Sequence, residues 1–377
     1  DILPRAVPYP FDIRCNRVAF SVTYRVVYSS IFAGSSGDLL KIAKPNEFDL
    51  VFKLEIPYYE SIVVTRDSTR PGNVLLDMTR VLELLKDDPR ADRQSIRKLL
   101  LSLVLNNYLA VDLLQGWLQS HFSRALDRIA NRVELDGTKL KYKTCGPAHT
   151  IVVEGRDLEY SVDYVPAIRL GAEQNVLAAE QLTYFRRANL SHWDAIPKPL
   201  KMATDQVSFR SSFYEAEKVM LRGENMNHCL DGIRLIKKFR DVKTNLSNLK
   251  SYYIKTLFLW KIRQEQPHYW LQPLTVILSD MFEELTECLL QGWLPFYWDP
   301  ELNMLDLLTR DQVTEMYRCV KSFSAMLGGE VGYDSPRRTG GSPLVVLRAF
   351  SHKEERTPLR ASQRLAKRKD IKRLQLR

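Results

Sequence analysis

The sequence has no apolar run long enough to cross a membrane. The longest such stretch, residues 99–114, is interrupted by Asn106, Asn107 and Asp112, whereas a spanning helix needs roughly 18 or more apolar residues. The N-terminus also lacks the basic start and apolar segment of a signal peptide. We therefore expect a protein without a transmembrane segment that acts in the cytoplasm, with the nucleus as the alternative location.

Soft metal ligands are few and scattered. The odd number of cysteines and their wide separation argue against a disulfide framework and against the paired spacing of a zinc ribbon. The adjacent pair His228-Cys229 is better interpreted as a helix start with a buried thiol than as half of a zinc site. We expect no zinc. The five cysteines are Cys15, Cys145, Cys229, Cys288 and Cys319.

Positive charge is concentrated at the C-terminal end. Residues 335–377 hold 13 Lys or Arg and three Asp or Glu, which accounts for the whole formal net charge of +10 and leaves residues 1–334 neutral. A basic segment of this kind is suited to a polyanion such as RNA, DNA or an anionic membrane, and its alternative is a solvated extension. We expect residues 335–377 to form a flexible basic tail.

Alternating side chains predict strands in the first half of the chain. Residues 47–56 alternate between apolar and largely polar positions, which predicts a half-buried strand, and residues 150–153 and 158–165 predict two more. Residues 93–133 have a helical pattern, with an expected interruption near Gly116. The apolar side of the first strand holds Phe48, Leu50, Phe52, Leu54 and Ile56.

The pattern becomes wholly helical after the prolines at positions 197 and 199. Apolar residues at helical spacing predict helices over 213–221, 228–240, 249–260, 274–290 and 310–327. We therefore divide the chain into a mixed-sheet α+β lobe over residues 1–200, an all-helical C-terminal lobe over residues 201–334, and the tail.

Three acidic residues on predicted strands form a candidate metal site. Glu47 and Asp49 are two residues apart, so their side chains point to the same face of the strand, and Asp163 lies on a second alternating strand. Hard carboxylate oxygens suit Mg²⁺, and two such ions about 4 Å apart would activate a ribose hydroxyl and neutralise the leaving pyrophosphate. Upstream, a turn at Gly34-Ser35 could hold a triphosphate with its N–H groups and hydroxyl. Each feature alone is ordinary, but their order predicts a polymerase-type nucleotidyltransferase.

The same residues resemble a specific family. The segments GSSGDLLKI at 34–42 and PNEFDLVFKL at 45–54 are similar to the catalytic core of cyclic GMP-AMP synthase and its animal relatives, the cyclic GMP-AMP synthase-like receptors of the Mab-21 superfamily. The resemblance continues through about residue 327, and it implies a bilobal nucleotidyltransferase fold of the α+β class with a mixed β-sheet catalytic lobe followed by a helical lobe. Further matching segments are SVD at 161–163, FRSSF at 209–213, EK at 217–218 and SYYIKT at 251–256.

The resemblance implies a role for each matching residue. Glu47, Asp49 and Asp163 would be catalytic and would hold two Mg²⁺ or Mn²⁺ ions. The ATP-side nucleotide would contact Ser35, Glu217, Lys237, Ser251, Tyr252 and Lys255, with the Tyr252 ring stacked on a base. The GTP-side nucleotide, which is the acceptor, would contact Asp163, Arg210, Ser212 and Glu217.

Two departures from the family pattern concern activation. Only residues 221–230 occupy the place of the zinc insertion with which cyclic GMP-AMP synthase grips DNA. The metal-free arrangement resembles the cyclic GMP-AMP synthase-like receptors, which implies double-stranded RNA as the activator. The family has a long helix before the Gly-Ser turn, whereas residues 18–32 are rich in Val, Tyr, Ser and Thr and predict a strand.

The resemblance implies an enzyme of innate antiviral immunity. It would join ATP and GTP into a cyclic dinucleotide second messenger of the cyclic GMP-AMP type when it binds nucleic acid, and a downstream receptor would respond to the product without contacting the enzyme. One alternative is a non-catalytic scaffold like the developmental Mab-21 proteins. Another is an RNA-extending polymerase of the 2′–5′ oligoadenylate type, whose products would be linear.

Overall fold

A large mixed sheet runs through the part of the chain described by the computed structural model, which covers residues 27–38, 40, 46–134, 137–155, 159–199 and 206–330. The strands of this sheet are β1 (Val27–Ala33), β2 (Glu47–Glu55), β3 (Val63–Arg66), β4 (Asn73–Asp77), β5 (Val104–Leu105), β6 (Tyr108–Leu109), β7 (Lys139–Cys145), β8 (Ala148–Glu154), β9 (Glu159–Gly171), β10 (His192–Ile196) and β11 (Ser208–Ser212). A separate hairpin pairs β12 (Pro295–Phe296) with β13 (Asp299–Asn303).

Helices flank the sheet and continue after it. They are α1 (Thr79–Asp87), α2 (Ala91–Leu103), α3 (Val111–Glu134), α4 (Ala179–Arg187), α5 (Tyr214–Leu221), α6 (Asn227–Asp241), α7 (Ser251–Gln264), α8 (Leu274–Gln291) and α9 (Arg310–Glu330). A single helical turn covers Gly34–Gly37, and short 3₁₀ segments cover Tyr59–Ser61, Ala172–Gln174, Thr244–Leu246 and Pro267–Leu271. None of the described helices combines the length and the apolar character that a membrane span requires.

The sheet confirms the predicted mixed α+β architecture. Its strands lie in the order β1-β2-β9-β10-β11-β4-β6-β5, with β3 on β4, and β8 joining β9 to β7. The β2–β9 pair is parallel and its neighbours are antiparallel. The strand predicted within residues 18–32 is confirmed where it is described, since β1 pairs with β2; residues 18–26 lie outside the described residues.

The prediction of a half-buried strand at β2 was wrong over its second half. Phe52 and Leu54 are buried as expected, but Val51 and Lys53, on the opposite side, are also buried. The side bearing Phe52, here called the Phe52 face, packs against α3, where the Phe122 ring lies 6.0 Å from the Phe52 ring. On the opposite side, here called the Asp49 face, Val51 forms a buried cluster with Ala33 of β1 and Ala167 of β9, and Tyr214 packs against this cluster.

The expected break near Gly116 was also misplaced. Gly116 lies inside α3, and the helical pattern is instead interrupted at residues 104–109 by the β5–β6 hairpin. Asn106 and Asn107 form its two-residue turn with φ of 50° and 71°. Asparagine tolerates the left-handed backbone that such turns require, so this pair was the signal for the hairpin.

The five C-terminal helices predicted from apolar spacing are confirmed as α5 to α9, with ends that shift by at most four residues. The sheet extends past residue 200, because β11 lies between β10 and β4. The predicted division into residues 1–200 and 201–334 stays a prediction, and the tail over residues 335–377 lies outside the described residues.

Candidate active site

Parallel pairing of β2 and β9 places the three predicted carboxylates on one face. Asp49 is aligned with Asp163 across the pair, and Glu47 precedes Asp49 by two residues. Aligned residues of neighbouring strands, and residues two apart on one strand, project to the same side of a sheet. The Asp49 face therefore carries Glu47, which is exposed, beside the partly buried Asp49 and Asp163.

The Gly34–Gly37 turn lies directly against the Asp49 carboxylate. Gly34 has φ of 61°, and a Cβ added there would lie 1.9 Å from Oδ2 of Asp49. Glycine is required at this position for two reasons, since the backbone is left-handed and the aspartate occupies the space of a side chain. The turn and the acidic strand thus meet at the point where the sequence predicted a phosphate site beside a metal site.

The donor atoms fit a hard divalent cation, although the carboxylates do not surround a common point. Within the described residues, no three Asp, Glu, His or Cys side chains are grouped closely enough to hold a metal ion. Asp163 accepts a hydrogen bond of 2.5 Å from Oγ1 of Thr150, its aligned neighbour on β8. Oxygen-only ligands on one sheet face suit Mg²⁺ or Mn²⁺, and the pair of ions stays a prediction.

Two of the four residues predicted for the acceptor nucleotide, Arg210 and Ser212, lie on the same face as Asp163. Ser212 is aligned with Asp194 and Arg210 with Ile196 across the β10–β11 pair. Asp194 is aligned with Arg169 on β9, six residues after Asp163 and therefore on its side of the sheet. The register thus brings both candidate acceptor contacts to the Asp49 face.

Three residues predicted for the ATP side form a buried cluster. Nζ of Lys255 lies 3.0 Å from Oε2 of Glu217, and the Tyr252 hydroxyl donates to Oε1 of Glu217 at 2.5 Å. Lys255 also forms an ion pair of 2.7 Å with Asp38, directly after the Gly34–Gly37 turn. Burial lowers the pKa of Lys255, but Glu217 and Asp38 raise it, and the net direction is upward.

Asp38 is a member of this cluster that sequence reasoning missed. Its position in the segment 34–42, four residues after Gly34, was the available signal. Trp298 was missed as well, and its Nε1 donates to Oε1 of Glu217 at 2.9 Å. Because Asp38 and Glu217 share the Lys255 ammonium, the cluster connects the turn to α5 and α7.

The remaining predicted contacts lie beside this cluster. Lys237 on α6 is buried, and its Nζ donates to the backbone carbonyl of Leu40 at 2.6 Å. Ser251 accepts a hydrogen bond of 2.7 Å from Arg240. Ser35 lies in the Gly34–Gly37 turn, and its side chain is outside the described residues.

The His228-Cys229 pair has the structural role expected of it. It lies at the start of α6, where Nδ1 of His228 is 2.8 Å from the carbonyl oxygen of Gln272. Cys229 is fully buried, and burial raises the pKa of its thiol. The expectation of no zinc stays a prediction. The described cysteines are free thiols: Cys145, Cys229, Cys288 and Cys319.

Comparison with known proteins identifies the family of the chain over two consecutive segments. Residues 36–223 match the Mab-21 protein nucleotidyltransferase domain, and residues 225–322 match the Mab-21 protein HhH/H2TH-like domain. The chain is 61% identical over 331 residues to cyclic GMP-AMP synthase-like receptor 2 of Drosophila melanogaster. The alignment covers 86% of this chain and 70% of the relative. It is 43% identical over 305 residues to cyclic GMP-AMP synthase-like receptor 1 of Drosophila erecta, in an alignment that covers 79% of this chain and 67% of the relative. A receptor of Aethina tumida is 27% identical over 302 residues, covering 77% and 73%.

Proposed function

Because the chain belongs to the Mab-21 nucleotidyltransferase family, among the cyclic GMP-AMP synthase-like receptors, we propose that it joins ATP and GTP into a cyclic dinucleotide of the cyclic GMP-AMP type. Double-stranded RNA is the proposed activator in antiviral defence, and a downstream receptor responds to the product. The observation that carries the proposal is the alignment of Asp49 with Asp163 beside the Gly34–Gly37 turn.

The residues of the Asp49 face and of the Gly34–Gly37 turn have different roles in the proposed reaction. Divalent ions held by Glu47, Asp49 and Asp163 would supply the positive charge that activates the attacking hydroxyl and stabilises the departing pyrophosphate. The N–H groups of the Gly34–Gly37 turn bind phosphate oxygens of the donor nucleotide. Arg210 offers a guanidinium fork to phosphate or to a guanine edge of the acceptor.

The buried cluster of Glu217, Tyr252 and Lys255 keeps the donor side in place. Lys255 contacts Asp38 and Glu217 together, so the turn that binds phosphate is held at a fixed distance from α5. Fixed placement of donor and acceptor matters because alignment of the reacting atoms can supply several kcal/mol of the barrier reduction, roughly 7 or more in the best cases.

The experiment is to incubate the protein with ATP, GTP, Mg²⁺ or Mn²⁺ and long RNA duplexes, and to identify products by mass spectrometry. Asp49→Asn should lower product formation by about 100-fold or more, because a lost ligand removes charge stabilisation worth several kcal/mol. Glu55→Gln is the matched control, since Glu55 lies on the same strand and the same side but pairs with Arg169 at 3.0 Å.

Each contrary result has a distinct meaning. Undiminished product after Asp49→Asn would refute the metal assignment. Linear products would indicate an RNA-extending polymerase. An intact protein that makes no product and shows no thermal shift with millimolar ATP would be a scaffold. Binding of duplex RNA should weaken steeply with salt, because such binding is dominated by phosphate contacts.

A further inference from the structure

A buried lysine on the Asp49 face contacts two carboxylates, and none of the three residues was predicted as part of the site. Lys53 follows Asp49 by four residues on β2 and is only 2% exposed. Its Nζ forms an ion pair with Glu215, lies 3.6 Å from Oδ2 of Asp194, and is 2.7 Å from Nε2 of His192. His192 in turn lies 3.3 Å from Glu215.

This cluster joins three elements that carry the candidate site. Lys53 belongs to β2, the strand of Glu47 and Asp49. Asp194 belongs to β10 and is aligned with Ser212 on β11. Glu215 lies in the first turn of α5, directly after β11 and two residues before Glu217. One ammonium group on β2 therefore contacts both β10, which pairs with β11, and the first turn of α5, which follows β11.

Stability is a poor explanation for the cluster. Removing two or more charges from water costs several kcal/mol per ion, and similarly sized apolar side chains often fill such space without loss of stability. Asp194 is 2% exposed, and within the described residues its Oδ1 has no hydrogen-bond partner. Burial raises the pKa of Asp194 to about 6. A buried group with incomplete partners is better explained by a requirement for placement.

We propose that Lys53, with Glu215 and Asp194, is a positioning residue that fixes the β11–α5 turn, and with it the acceptor contacts Arg210 and Ser212, against the acidic strand. The effect of Lys53 on catalysis rests on the proposed function, whereas its effect on the position of the β11–α5 turn does not. Lys53 itself acts through these contacts and not on the nucleotides.

The test compares Lys53→Met alone with a neutral triple variant. Lys53→Met leaves Glu215 and Asp194 without their cation, so this variant can fail to fold. Adding Glu215→Gln and Asp194→Asn removes the unpaired charges while keeping the shapes of the side chains. The triple variant should keep the melting temperature of the wild type and still lose about tenfold or more in kcat, because a shift of about 1 Å in the reacting groups can cost 100-fold. The KM for ATP should change little.

Lys261→Met is the matched control. Lys261 is also buried and lies 3.5 Å from Glu265 and 3.8 Å from Glu284, but it joins α7 to α8 and contacts neither β2 nor β11. This variant should lose stability and keep the kcat of the wild type per folded molecule. A triple variant with the kcat of the wild type would overturn the positioning role.

A readout without turnover separates this proposal from the proposed function. Backbone amides of residues 208–217 should exchange with deuterium at least tenfold faster in the triple variant than in the wild type, with no such change in Lys261→Met. If the wild type makes no cyclic product, the proposed function fails and the exchange measurement still decides the placement of the turn. Unchanged exchange over residues 208–217 would overturn the proposal.

Discussion

Both faces of β2 carry buried side chains, but the two faces differ in chemistry. On the Phe52 face, Phe52 and Leu54 are buried and the cover is the aromatic ring of Phe122. The Asp49 face begins with the exposed Glu47 and carries the buried ion pairs of Lys53 further along the strand. Apolar burial stabilises a fold in proportion to its area, whereas buried ion pairs add little net stability and fix geometry. We therefore expect the Phe52 face to contribute mainly to stability and the Asp49 face mainly to the placement of the candidate site.

Among substitutions that leave no buried charge unpaired, the largest effect on stability should come from the Phe52 face. Phe52→Ala removes a buried ring that packs against Phe122, and such truncations typically cost about 3–5 kcal/mol of unfolding free energy. Urea denaturation measures this loss. Product formation per folded molecule should remain that of the wild type, because Phe52 points away from the carboxylates. A loss below about 1 kcal/mol, or a changed kcat, would contradict the division between the faces.

This difference also explains what the sequence could predict. The apolar side of β2 was predictable, since Phe52, Leu54 and Ile56 recur with the period of two that a strand requires. The same argument predicted a solvent-facing Lys53, and it was wrong because the partners that bury it, Asp194 and Glu215, are more than 100 residues away in the sequence. Periodicity reports local geometry and carries no information on such long-range contacts.

The candidate site was likewise predictable where it depends on local spacing and not where it depends on long-range contacts. Spacing alone indicated that Glu47 and Asp49 share a side of their strand. The proximity of Asp163 was predicted from the order of the motifs and from the family resemblance, because nothing in alternation specifies that β2 and β9 are parallel neighbours. The ion pair between Asp38 and Lys255 was missed for the same reason as Lys53, since it joins residues 217 apart.

A smaller effect on the free energy of unfolding, which depends on pH, should come from Asp194 on the Asp49 face. Burial raises the pKa of Asp194 from 3.8 to about 6, so the fold favours its protonated form. The stability that this preference contributes is fully present below about pH 4 and is lost as pH rises through 6; the shift corresponds to about 3 kcal/mol at most. The charged and titratable groups around it are Lys53 on β2, Arg169 on β9, His192 on β10, and Tyr214 and Glu215 on α5.

Asp194→Asn tests this dependence, because the amide cannot ionise. The unfolding free energy of the variant relative to the wild type should rise between pH 5 and pH 7. Measuring both proteins in parallel cancels the pH dependence of all the other groups, which are common to them. Parallel curves over this interval would show that the Asp194 carboxyl ionises in the folded protein as it does in the unfolded chain.

The smallest effect on stability should come from Gly34→Ala, although its effect on the site is large. A non-glycine residue with left-handed backbone costs about 1–2 kcal/mol, and Gly34 has φ of 61°. The added Cβ would also displace the Asp49 carboxylate, which lies 1.9 Å from its position. Product formation should therefore fall about as far as in Asp49→Asn.

Gly146→Ala separates the strain from the displacement. Gly146 has a similar φ of 59°, but a Cβ there would have no atom within 4 Å. Both variants should lose the unfolding free energy of the strained backbone, and Gly34→Ala should lose somewhat more because its Cβ also displaces a carboxylate. Only Gly34→Ala should lose activity, because only Gly34 lies against a carboxylate of the Asp49 face. Equal activity in the two variants would mean that the position of the Asp49 carboxylate does not control the reaction, and that the Asp49 face is charged for some purpose other than nucleotidyl transfer.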